Sequence, residues 1–425
     1  MQTYRDALDF LYARTTGIWK LGLDRVEAFL HVLGDPHRSL RSLHIAGTNG
    51  KGSVCAMLEA SLRAKGLRVA KYTSPHLVDF RERFIIDGVP VAPERIVAFV
   101  ERWTPEVERL RATFFEATTA MAFSFFAEEK VDVAVIETGL GGRLDATNVI
   151  TPLVAGVTTI GIDHVEYLGA TREEIASEKA GIFKQGVPAV IGDPDPAIRQ
   201  LLASYAYEHG AKPVRIVYDE GGPQNVRVGA AGTSFDLKLN GRTTSLTTPL
   251  QGAHQAANGV VAAAMLEALP GDLAPTAAEV VIGFGRVRLP GRFQRWGKYI
   301  FDVAHNPDGA SMLSSTLAAI RPERPLVAVL SVLSDKDWRG IIDALGPVVD
   351  HLILTNAPTA PTSRAWNLPD PLSYARSRGL NAELLRDFDR SLVRAAEHGA
   401  TVLVTGSFHT VGDAMARLEV SPADW

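Results

Sequence analysis

One ten-residue stretch, His44-Ile45-Ala46-Gly47-Thr48-Asn49-Gly50-Lys51-Gly52-Ser53, constrains the fold of this chain more than any other. It follows a short apolar run, and apolar residues then recur at helical spacing from Val54 to Leu62. A strand, a glycine-rich loop with a lysine and a helix together attract phosphates, because loop N–H groups, the helix dipole and the Lys51 ammonium all favour an anion. A hydroxyl such as that of Ser53 can reach the Mg²⁺ that accompanies the phosphates. The stretch is therefore predicted to be a phosphate loop.

This loop departs from the general pattern G-x-x-x-x-G-K-[ST] at two positions, because Ile45 stands where a glycine is expected and Gly52 where a hydroxyl is expected. The simpler alternative is a glycine turn with one solvated lysine. A strand followed by Gly-x-x-Gly-Lys-Gly-Ser favours the phosphate loop over that alternative.

Length and composition describe an ordinary globular protein of two or three domains, with 425 residues, 46% hydrophobic and 22% charged. A formal net charge of −4 gives no reason to expect a nucleic acid or an acidic membrane surface as partner. The N-terminus lacks a secretory signal, and no apolar run approaches the roughly 18 residues of a membrane span. The single cysteine, Cys55, excludes an internal disulfide and is expected to pack inside a helix. We expect a soluble cytoplasmic protein.

Helices are predicted before the phosphate loop, where apolar residues recur as a stripe that would face the core. The stripe consists of Leu21, Leu23, Val26, Phe29 and Leu30.

Three predicted strands of the first half lead to polar side chains. Residues 67–72 lead into the loop that holds Ser74, residues 131–136 are followed by Glu137, and residues 153–160 by Asp163 and His164. Strands joined by helices form a parallel sheet, and ligands bind beyond the carboxyl ends of its strands. We therefore expect Ser74, Glu137 and His164 beside the phosphate loop, where a carboxylate suits Mg²⁺. The alternatives are a solvated strand-end charge at Glu137 and an ordinary hydrogen-bonded histidine at position 164.

Thr171 and Glu174 have the spacing of a capping box at the start of a helix. That helix contains Lys179. Taken alone, Lys179 is predicted to be a solvated helix lysine.

The pattern changes after the first sheet. Residues 214–250 alternate as β-structure, with a hairpin signal at Asn240-Gly241, and an Ala-rich helix follows Gln251. Strand patterns restart at 299–303, 326–330, 351–355 and 401–405, without a second phosphate loop. The predicted fold is α/β, with a phosphate-loop domain over residues 1–295 that contains a parallel sheet and a small β region. A linker at about 286–297 leads to a smaller, Rossmann-like α/β domain over residues 297–425.

Seven stretches of the chain occur together and in order, and they resemble the folylpolyglutamate synthase and dihydrofolate synthase branch of the Mur ligase superfamily. They are residues 47–53, 73–77, 137–148, 163–164, 178–181, 254–258 and 302–307. Two of them, Gly-Thr-Asn-Gly-Lys-Gly-Ser and Glu-Thr-Gly-Leu-Gly-Gly-Arg-Leu-Asp-Ala-Thr-Asn, are specific to that branch. Wall-building Mur ligases usually carry Gly-Lys-Thr-Thr or Gly-Lys-Ser-Thr and a further N-terminal domain. Because the loop begins at residue 47, no such domain is expected here.

The resemblance implies an ATP-driven amide ligase. ATP would phosphorylate the pteroate carboxyl or the γ-carboxyl of a folate's terminal glutamate, and the amine of L-glutamate would attack the acyl phosphate, releasing ADP and phosphate. Such phosphoryl transfer depends on positioning and charge neutralisation. The resemblance also implies a monomer that acts on small molecules, with K⁺ as a candidate activator.

The same resemblance implies roles for the residues at the sheet edge. Ser74 and Glu137 match ligands of the Mg²⁺ on the β and γ phosphates, and His164 with Glu137 matches a second Mg²⁺. Lys179 matches a lysine that the family carbamylates with CO₂, which requires a neutral amine that burial can provide. Lys51, Lys179 and His164 are thus the implied catalytic residues.

Further residues are implied for the nucleotide and for the acid substrate. Those that match the ATP site are Gly47, Thr48, Asn49, Gly50, Lys51, Gly52, Ser53, Asn258, Arg292, Asp302 and His305. Those that match contacts to dihydropteroate are Thr113, Leu144, Asp145 and Ala146.

Two other functions are compatible with parts of this pattern. One is a different Mur-like ligase that joins an amino acid to another acid, and the branch-specific loops argue against it. The other is a phosphate-loop protein without ligase chemistry, and the joint presence of Glu137, His164 and Lys179 argues against it. The sequence leaves open whether the enzyme makes dihydrofolate, extends polyglutamate tails or does both, and which reduced folate and tail length it prefers.

Overall fold

The strand before the phosphate loop lies in the interior of the larger sheet. The structure is a computed structural model that describes residues 3–15 and 22–421. The strands of this sheet are β1 (Ser42–Ala46), β2 (Val69–Tyr72), β3 (Phe84–Ile86), β4 (Val89–Pro90), β5 (Val133–Glu137), β6 (Val154–Val157), β7 (Ala189–Ile191) and β8 (Val214–Ile216). Their order is β4-β3-β2-β5-β1-β6-β7-β8, parallel from β2 to β8 and antiparallel at the β3 and β4 edge.

The parallel register brings the strand ends together as predicted. Ile45 pairs with Glu137, and Ala46 pairs with Val157. Glu137 is the last residue of β5 rather than the residue after it. The phosphate loop, the β5 end and the β6 end therefore share one edge of the sheet.

Helices cover both faces of this sheet. They are α1 (Tyr4–Tyr12), α2 (Asp24–Val32), α3 (Lys51–Ala64), α4 (Pro93–Arg109), α5 (Phe114–Glu128), α6 (Val165–Leu168), α7 (Arg172–Ala180), α8 (Pro196–Glu208), α9 (Ala253–Glu267) and α10 (Ala277–Gly285). Short 3₁₀ turns occur at Pro36–Ser39, Phe80–Arg83 and Ala146–Val149. Helices α3, α9 and α10 pack on one face, while α1, α2, α4, α5, α7 and α8 contribute to the cores on the other. Cys55 is buried and free, as expected.

The predicted apolar stripe near the N-terminus belongs largely to α2. Val26, Phe29 and Leu30 are fully buried, and Leu23 packs against the same core. Leu21 lies outside the described residues.

The β region after α8 is split between two sheets. Strands β9 (Gln224–Gly229), β10 (Gly232–Leu239) and β11 (Arg242–Thr248) form an antiparallel sheet, whereas β8 extends the large one. Asn240 and Gly241 join β10 to β11 with φ values of 48° and 74°, the left-handed pair of a tight hairpin turn. Phe235, Leu237 and Leu246 bury one face of this small sheet against the α3 and α9 core.

The second domain is a six-stranded sheet in the order β12-β13-β17-β14-β15-β16, antiparallel only at β12. Its strands are β12 (Gln294–Trp296), β13 (Tyr299–Phe301), β14 (Leu326–Leu330), β15 (His351–Leu354), β16 (Ala382–Leu384) and β17 (Thr401–Thr405). Its helices are α11 (Pro307–Ile320), α12 (Trp338–Leu345), α13 (Pro369–Ser377), α14 (Phe388–His398) and α15 (Phe408–Arg417), with 3₁₀ turns at Gly346–Val348 and Thr362–Arg364. The predicted boundary at residue 295 falls inside β12. The second sheet therefore begins at Gln294, because all three β12 residues pair with β13.

The two domains touch closely at Leu77, which follows the Ser74 loop. Its side chain packs against the core of the second domain, and the missing Cβ of Gly412 in α15 makes room for the Leu77 carbonyl. A Cβ at position 412 would lie 3.0 Å from the Leu77 carbonyl carbon and overlap its oxygen. The Ser74 loop is thus held from the side of the second domain.

We expect Gly412→Ala to lower kcat/KM by at least about 10-fold, since a 1 Å misplacement near a reacting group is costly. The added methyl must displace the Leu77 carbonyl and, with it, the loop that carries Ser74. Steady-state kinetics check this, and Gly285→Ala is the control, because nothing lies within 4 Å of a Cβ at that helical glycine. Unchanged kinetics for Gly412→Ala would show that the Leu77 contact does not position the loop.

Candidate active site

The phosphate loop is fixed by contacts on both of its sides. Gly50 precedes α3 with a φ of 93°, and a side chain at this position would overlap the Asn258 amide. The Asn49 carbonyl accepts hydrogen bonds from the hydroxyls of Thr158 at 2.7 Å and Thr159 at 3.2 Å. The Lys51 ammonium lies across the loop and donates to the carbonyls of Gly47 at 3.0 Å and Thr48 at 3.2 Å. These contacts fix the loop backbone and the position of the Lys51 ammonium before any anion binds.

Glu137 and Ser74 meet beside this loop, as the strand order predicts. The Ser74 N–H donates to Glu137 Oε2 at 3.2 Å, and Glu137 is only 5% exposed. Burial raises the pKa of Glu137, whereas the positive charges of Lys51 and Arg292 oppose that shift. A buried carboxylate among cations, at the edge where phosphates would lie, suits a divalent ion.

The His164 ring lies on the same edge but contacts other partners. His164 immediately precedes α6 and has a φ of 52°, and its Nε2 is 3.4 Å from Lys336 Nζ and 4.0 Å from Asp163 Oδ2. Within the described part of the chain, Glu137 is not among its hydrogen-bond or ion-pair partners. Burial, together with the Lys336 charge, lowers the pKa of His164 to about 3. The neutral ring keeps a lone pair available for a metal ion.

Lys336 was not identified from the sequence, although it comes from the second domain into this cluster. Its ammonium is ion-paired with Asp163, and both side chains are buried, at 7% and 8% exposure. Burial alone would raise the pKa of Asp163, but His305, His164 and Lys336 hold it well below its ordinary value. Lys336 follows the end of β14, so a polar residue after a strand was the signal that could have found it.

Replacing Lys336 with methionine is expected to weaken the docking of the two domains, because breaking a buried ion pair costs about 3–5 kcal/mol. Methionine retains the apolar stem and leaves the Asp163 carboxylate without its cation. Limited proteolysis of the 286–293 connection measures the opening. The control is Lys298→Met, since within the described residues the Lys298 ammonium donates to the Ala396 and Gly399 carbonyls of its own domain. Equal cleavage rates for wild type and Lys336→Met would contradict the expected role of this pair.

Lys179 is buried at the end of α7. The prediction from the helical pattern alone, that it is a solvated lysine, is therefore wrong. It is 4% exposed, and its Nζ donates to the Gly47 carbonyl at 2.9 Å. The 139–143 loop packs on its backbone, since the Arg143 N–H donates to the Glu178 carbonyl at 2.8 Å and Gly142 lies against the Lys179 carbonyl. Burial, reinforced by the Lys51 charge, lowers the pKa of Lys179 to about 7. A substantial fraction of its amine is therefore neutral at neutral pH.

Residues of the linker and second domain form the opposite wall. Arg292 lies over the Phe408 ring, with its Cζ 5.2 Å from the ring centroid, and the His305 ring centroid is 5.8 Å from it. The Asp302 carboxylate accepts the N–H groups of Phe293 and Ala304, both at 2.9 Å, and so shapes the loop after β13. Phe408 was not identified from the sequence. Arg292 faces the phosphate loop, because a Cβ at Gly52 would lie 4.0 Å from both the Arg292 guanidinium and Glu137.

The two polar residues matched to dihydropteroate contacts, Thr113 and Asp145, use their side-chain oxygens in hydrogen bonds within the protein. The Thr113 hydroxyl caps α5 in a capping box with Glu116. Asp145 is buried and accepts the N–H groups of Gly139 at 2.9 Å, Leu140 at 2.7 Å and Thr147 at 3.0 Å. Leu144 is half-buried and Ala146 is buried. Gly139 packs on the Phe115 ring of α5, so both matched segments line one region.

No three His, Cys, Asp or Glu side chains converge as a ready metal site within residues 3–15 and 22–421. The buried Glu137 carboxylate at this edge offers the kind of oxygen ligand that Mg²⁺ takes together with phosphate oxygens. No helix in the described ranges combines the length and apolarity that crossing a membrane requires.

Comparison with known proteins gives the same picture over nearly the whole chain. Residues 45–266 match the Mur ligase middle domain, and residues 291–408 match the Mur ligase glutamate ligase domain. A dihydrofolate synthase/folylpolyglutamate synthase of Mycobacterium tuberculosis is 39% identical, over 92% of this chain and 89% of that protein.

Solved structures agree with the sequence relatives. A folylpolyglutamate synthase of Mycobacterium tuberculosis complexed with ADP has a TM-score of 0.91 at 36% identity, over 99% of each chain. A bifunctional folylpolyglutamate synthase/dihydrofolate synthase with manganese, AMPPNP and L-glutamate bound has a TM-score of 0.81 at 33% identity, over 99% of this chain and 98% of that one. With its phosphate loop, strand-end carboxylate and second α/β domain, the chain belongs to the Mur ligase family, in its folylpolyglutamate synthase and dihydrofolate synthase branch.

Proposed function

We propose that this protein is an ATP-dependent ligase that adds L-glutamate both to a folate and to dihydropteroate. The observation that carries the proposal is the convergence of Lys51, Glu137, His164 and Lys179 on one sheet edge, facing the second domain. Relatives that carry both activities in their names, and one with a nucleotide analogue, a metal and L-glutamate bound, support it.

The proposed reaction has two steps. In the first, an oxygen of the acid's carboxylate attacks the γ-phosphorus of ATP, the bond to the β-phosphate oxygen breaks, and an acyl phosphate and ADP result. In the second, the neutral amine of L-glutamate attacks the acyl carbon, phosphate leaves, and the amine proton is lost to solvent or a base. Both steps concentrate negative charge where the site is positive.

The residues of the chain divide this work. Lys51 and the loop N–H groups would hold the β and γ phosphates. Ser74 and Glu137 would hold one divalent ion, Glu137 with His164 a second, and these ions would neutralise the phosphate charge. Asn258, Arg292, Asp302 and His305 would bind the rest of the nucleotide as the domains close.

Lys179 is proposed to act as a carbamate. Its neutral amine would add to CO₂ and lose a proton, which changes a buried cation into an anion beside Lys51. The lowered pKa and the burial of this lysine support the proposal, because both favour the neutral amine that reacts with CO₂. An anion there would balance the positive charges around the phosphate loop.

The proposal includes a cytoplasmic monomer that acts on small molecules and that K⁺ activates. The net charge of −4 supports the absence of a nucleic acid partner.

The test is glutamate-dependent phosphate release from ATP and Mg²⁺, with dihydropteroate in one reaction and tetrahydrofolate in another, and with products identified by mass. We expect both acids to gain glutamate. Addition to tetrahydrofolate alone would reduce the proposal to tail extension. If neither acid gained glutamate while ATP still bound, the folate assignment would be overturned and another acid would have to be sought.

A further inference from the structure

A histidine inside the sheet has no role in the chemistry described above. His44 lies in the middle of β1, fully buried, and its Nε2 is 2.8 Å from the Thr147 hydroxyl. Its Nδ1 is buried and has no hydrogen-bond partner among the described residues. A buried polar ring with one unsatisfied nitrogen is costly compared with an apolar residue. The hydrogen bond to Thr147 is the interaction that an apolar residue at position 44 could not make.

The direction of that hydrogen bond follows from its neighbours. The Thr147 hydroxyl donates to Asp145 Oδ1, which also accepts the Thr147 N–H at 3.0 Å. The other carboxylate oxygen accepts two further N–H groups, from Gly139 and Leu140. Because the single hydroxyl hydrogen goes to the carboxylate, His44 Nε2 must carry the hydrogen and donate to Thr147. Burial, with the Lys184 charge, lowers the pKa of His44 to about 3, so the ring stays neutral.

These bonds form a continuous relay from β1 to the glycine loop. It runs from His44 through Thr147 and Asp145 to the N–H groups of Gly139 and Leu140. At its start, β1 leads directly into the phosphate loop at Gly47. At its end, the glycine loop packs on Phe115. The relay thus connects this glycine loop, residues 139–146, to the strand that leads into the phosphate loop.

We propose that His44 is a positioning residue that, through Thr147 and Asp145, sets the 139–146 loop for the acid substrate in register with the phosphate loop. The inference rests on the proposed function, because the acid is the substrate that this loop would contact. Its consequence is selective. Loss of the relay impairs use of the acid, whereas the phosphate loop, which has its own contacts to Thr158 and Thr159, still binds ATP.

The test uses His44→Leu, His44→Gln, Thr147→Val and the double variant His44→Leu/Thr147→Val. Gln places an N–H donor near Nε2 and serves as the rescue variant, whereas Leu and Val remove one member of the relay each. We expect kcat/KM for the acid to fall at least about 10-fold in His44→Leu and in Thr147→Val, with KM for ATP unchanged within about 2-fold. His44→Gln should recover to within about 3-fold of wild type, and the double variant should be no worse than the worse single variant, because both act through one relay.

Hydrogen exchange provides a readout that does not depend on activity. The Gly139 and Leu140 amides should exchange at least about 10-fold faster in His44→Leu and Thr147→Val than in wild type. If His44→Leu does not fold, Thr147→Val and His44→Gln still decide the matter.

The inference would be overturned by wild-type kcat/KM for the acid in the folded variants, by equal losses for ATP and acid, or by no recovery in His44→Gln. If wild type added glutamate to neither acid, the proposed function and the substrate part of this inference would both fall. Unchanged exchange of the loop amides would overturn the relay itself, whatever the activity.

Discussion

Lys179→Ala is expected to lower glutamate-dependent turnover by at least about 100-fold, the size of loss seen when one preorganised electrostatic group is removed from an active site. The fold should survive, because the variant removes a buried amine without leaving an unpaired charge. Among the described residues, the hydrogen bond that is lost runs from Nζ to the Gly47 carbonyl, which still accepts one from Lys51. Steady-state phosphate release and thermal unfolding measure the two effects.

The proposed carbamate adds a pH-dependent signature to this variant. The pKa of Lys179 is lowered to about 7, so the neutral fraction of its amine rises as pH increases from about 6 to 8. At a fixed concentration of dissolved CO₂, wild-type enzyme prepared without CO₂ should therefore be reactivated faster at the higher pH. Lys184→Ala is the matched control, because Lys184 is also partly buried with a lowered pKa but donates to the Asn148 carbonyl, away from the phosphate loop. Near-normal activity of Lys179→Ala in CO₂-free buffer would rule out the carbamate role.

Lys51→Met is expected to lower kcat/KM by at least about 1,000-fold, because phosphoryl transfer depends on neutralising the phosphate charge. The variant also removes the hydrogen bonds to the Gly47 and Thr48 carbonyls that span the loop. ATP binding, measured by calorimetry, should weaken in parallel.

Lys65→Met at the other end of α3 is the control for that variant. Lys65 is the C-cap of the same helix, fourteen residues after Lys51. It is also a lysine, but it lies outside the phosphate loop. It should bind ATP and turn over like wild type. Wild-type ATP affinity in Lys51→Met would show that this lysine does not hold the phosphates.

The site could be predicted from the sequence where its geometry is local or follows from sheet topology. The phosphate loop is a contiguous motif, and the parallel register alone brings Glu137 next to it. The family resemblance implied the burial of Lys179, but helical spacing could not predict it, because it arises from the packing of the 139–143 loop on the end of α7. Helical spacing by itself predicts a solvent-exposed lysine on a short polar helix.

Contacts between the domains are a second limit of sequence reasoning. Lys336 reaches Asp163 across 173 positions of sequence, and no periodic pattern records such a pairing. The predicted boundary at residue 295 lies at a point where the sequence pattern is similarly uninformative. Strand β12 has three residues, too few for an alternating pattern, and its membership in the second sheet is fixed only by pairing with β13.

The most direct test of the central claim follows the oxygen atoms of the acid substrate. The acid is supplied with a heavy oxygen isotope in its carboxylate, together with ATP, Mg²⁺ and L-glutamate, and the released phosphate is analysed by mass. An acyl-phosphate ligase must transfer one carboxylate oxygen to phosphate for each amide bond formed, so label in the phosphate is the predicted result. Glutamyl product formed with unlabelled phosphate would contradict carboxylate activation by ATP.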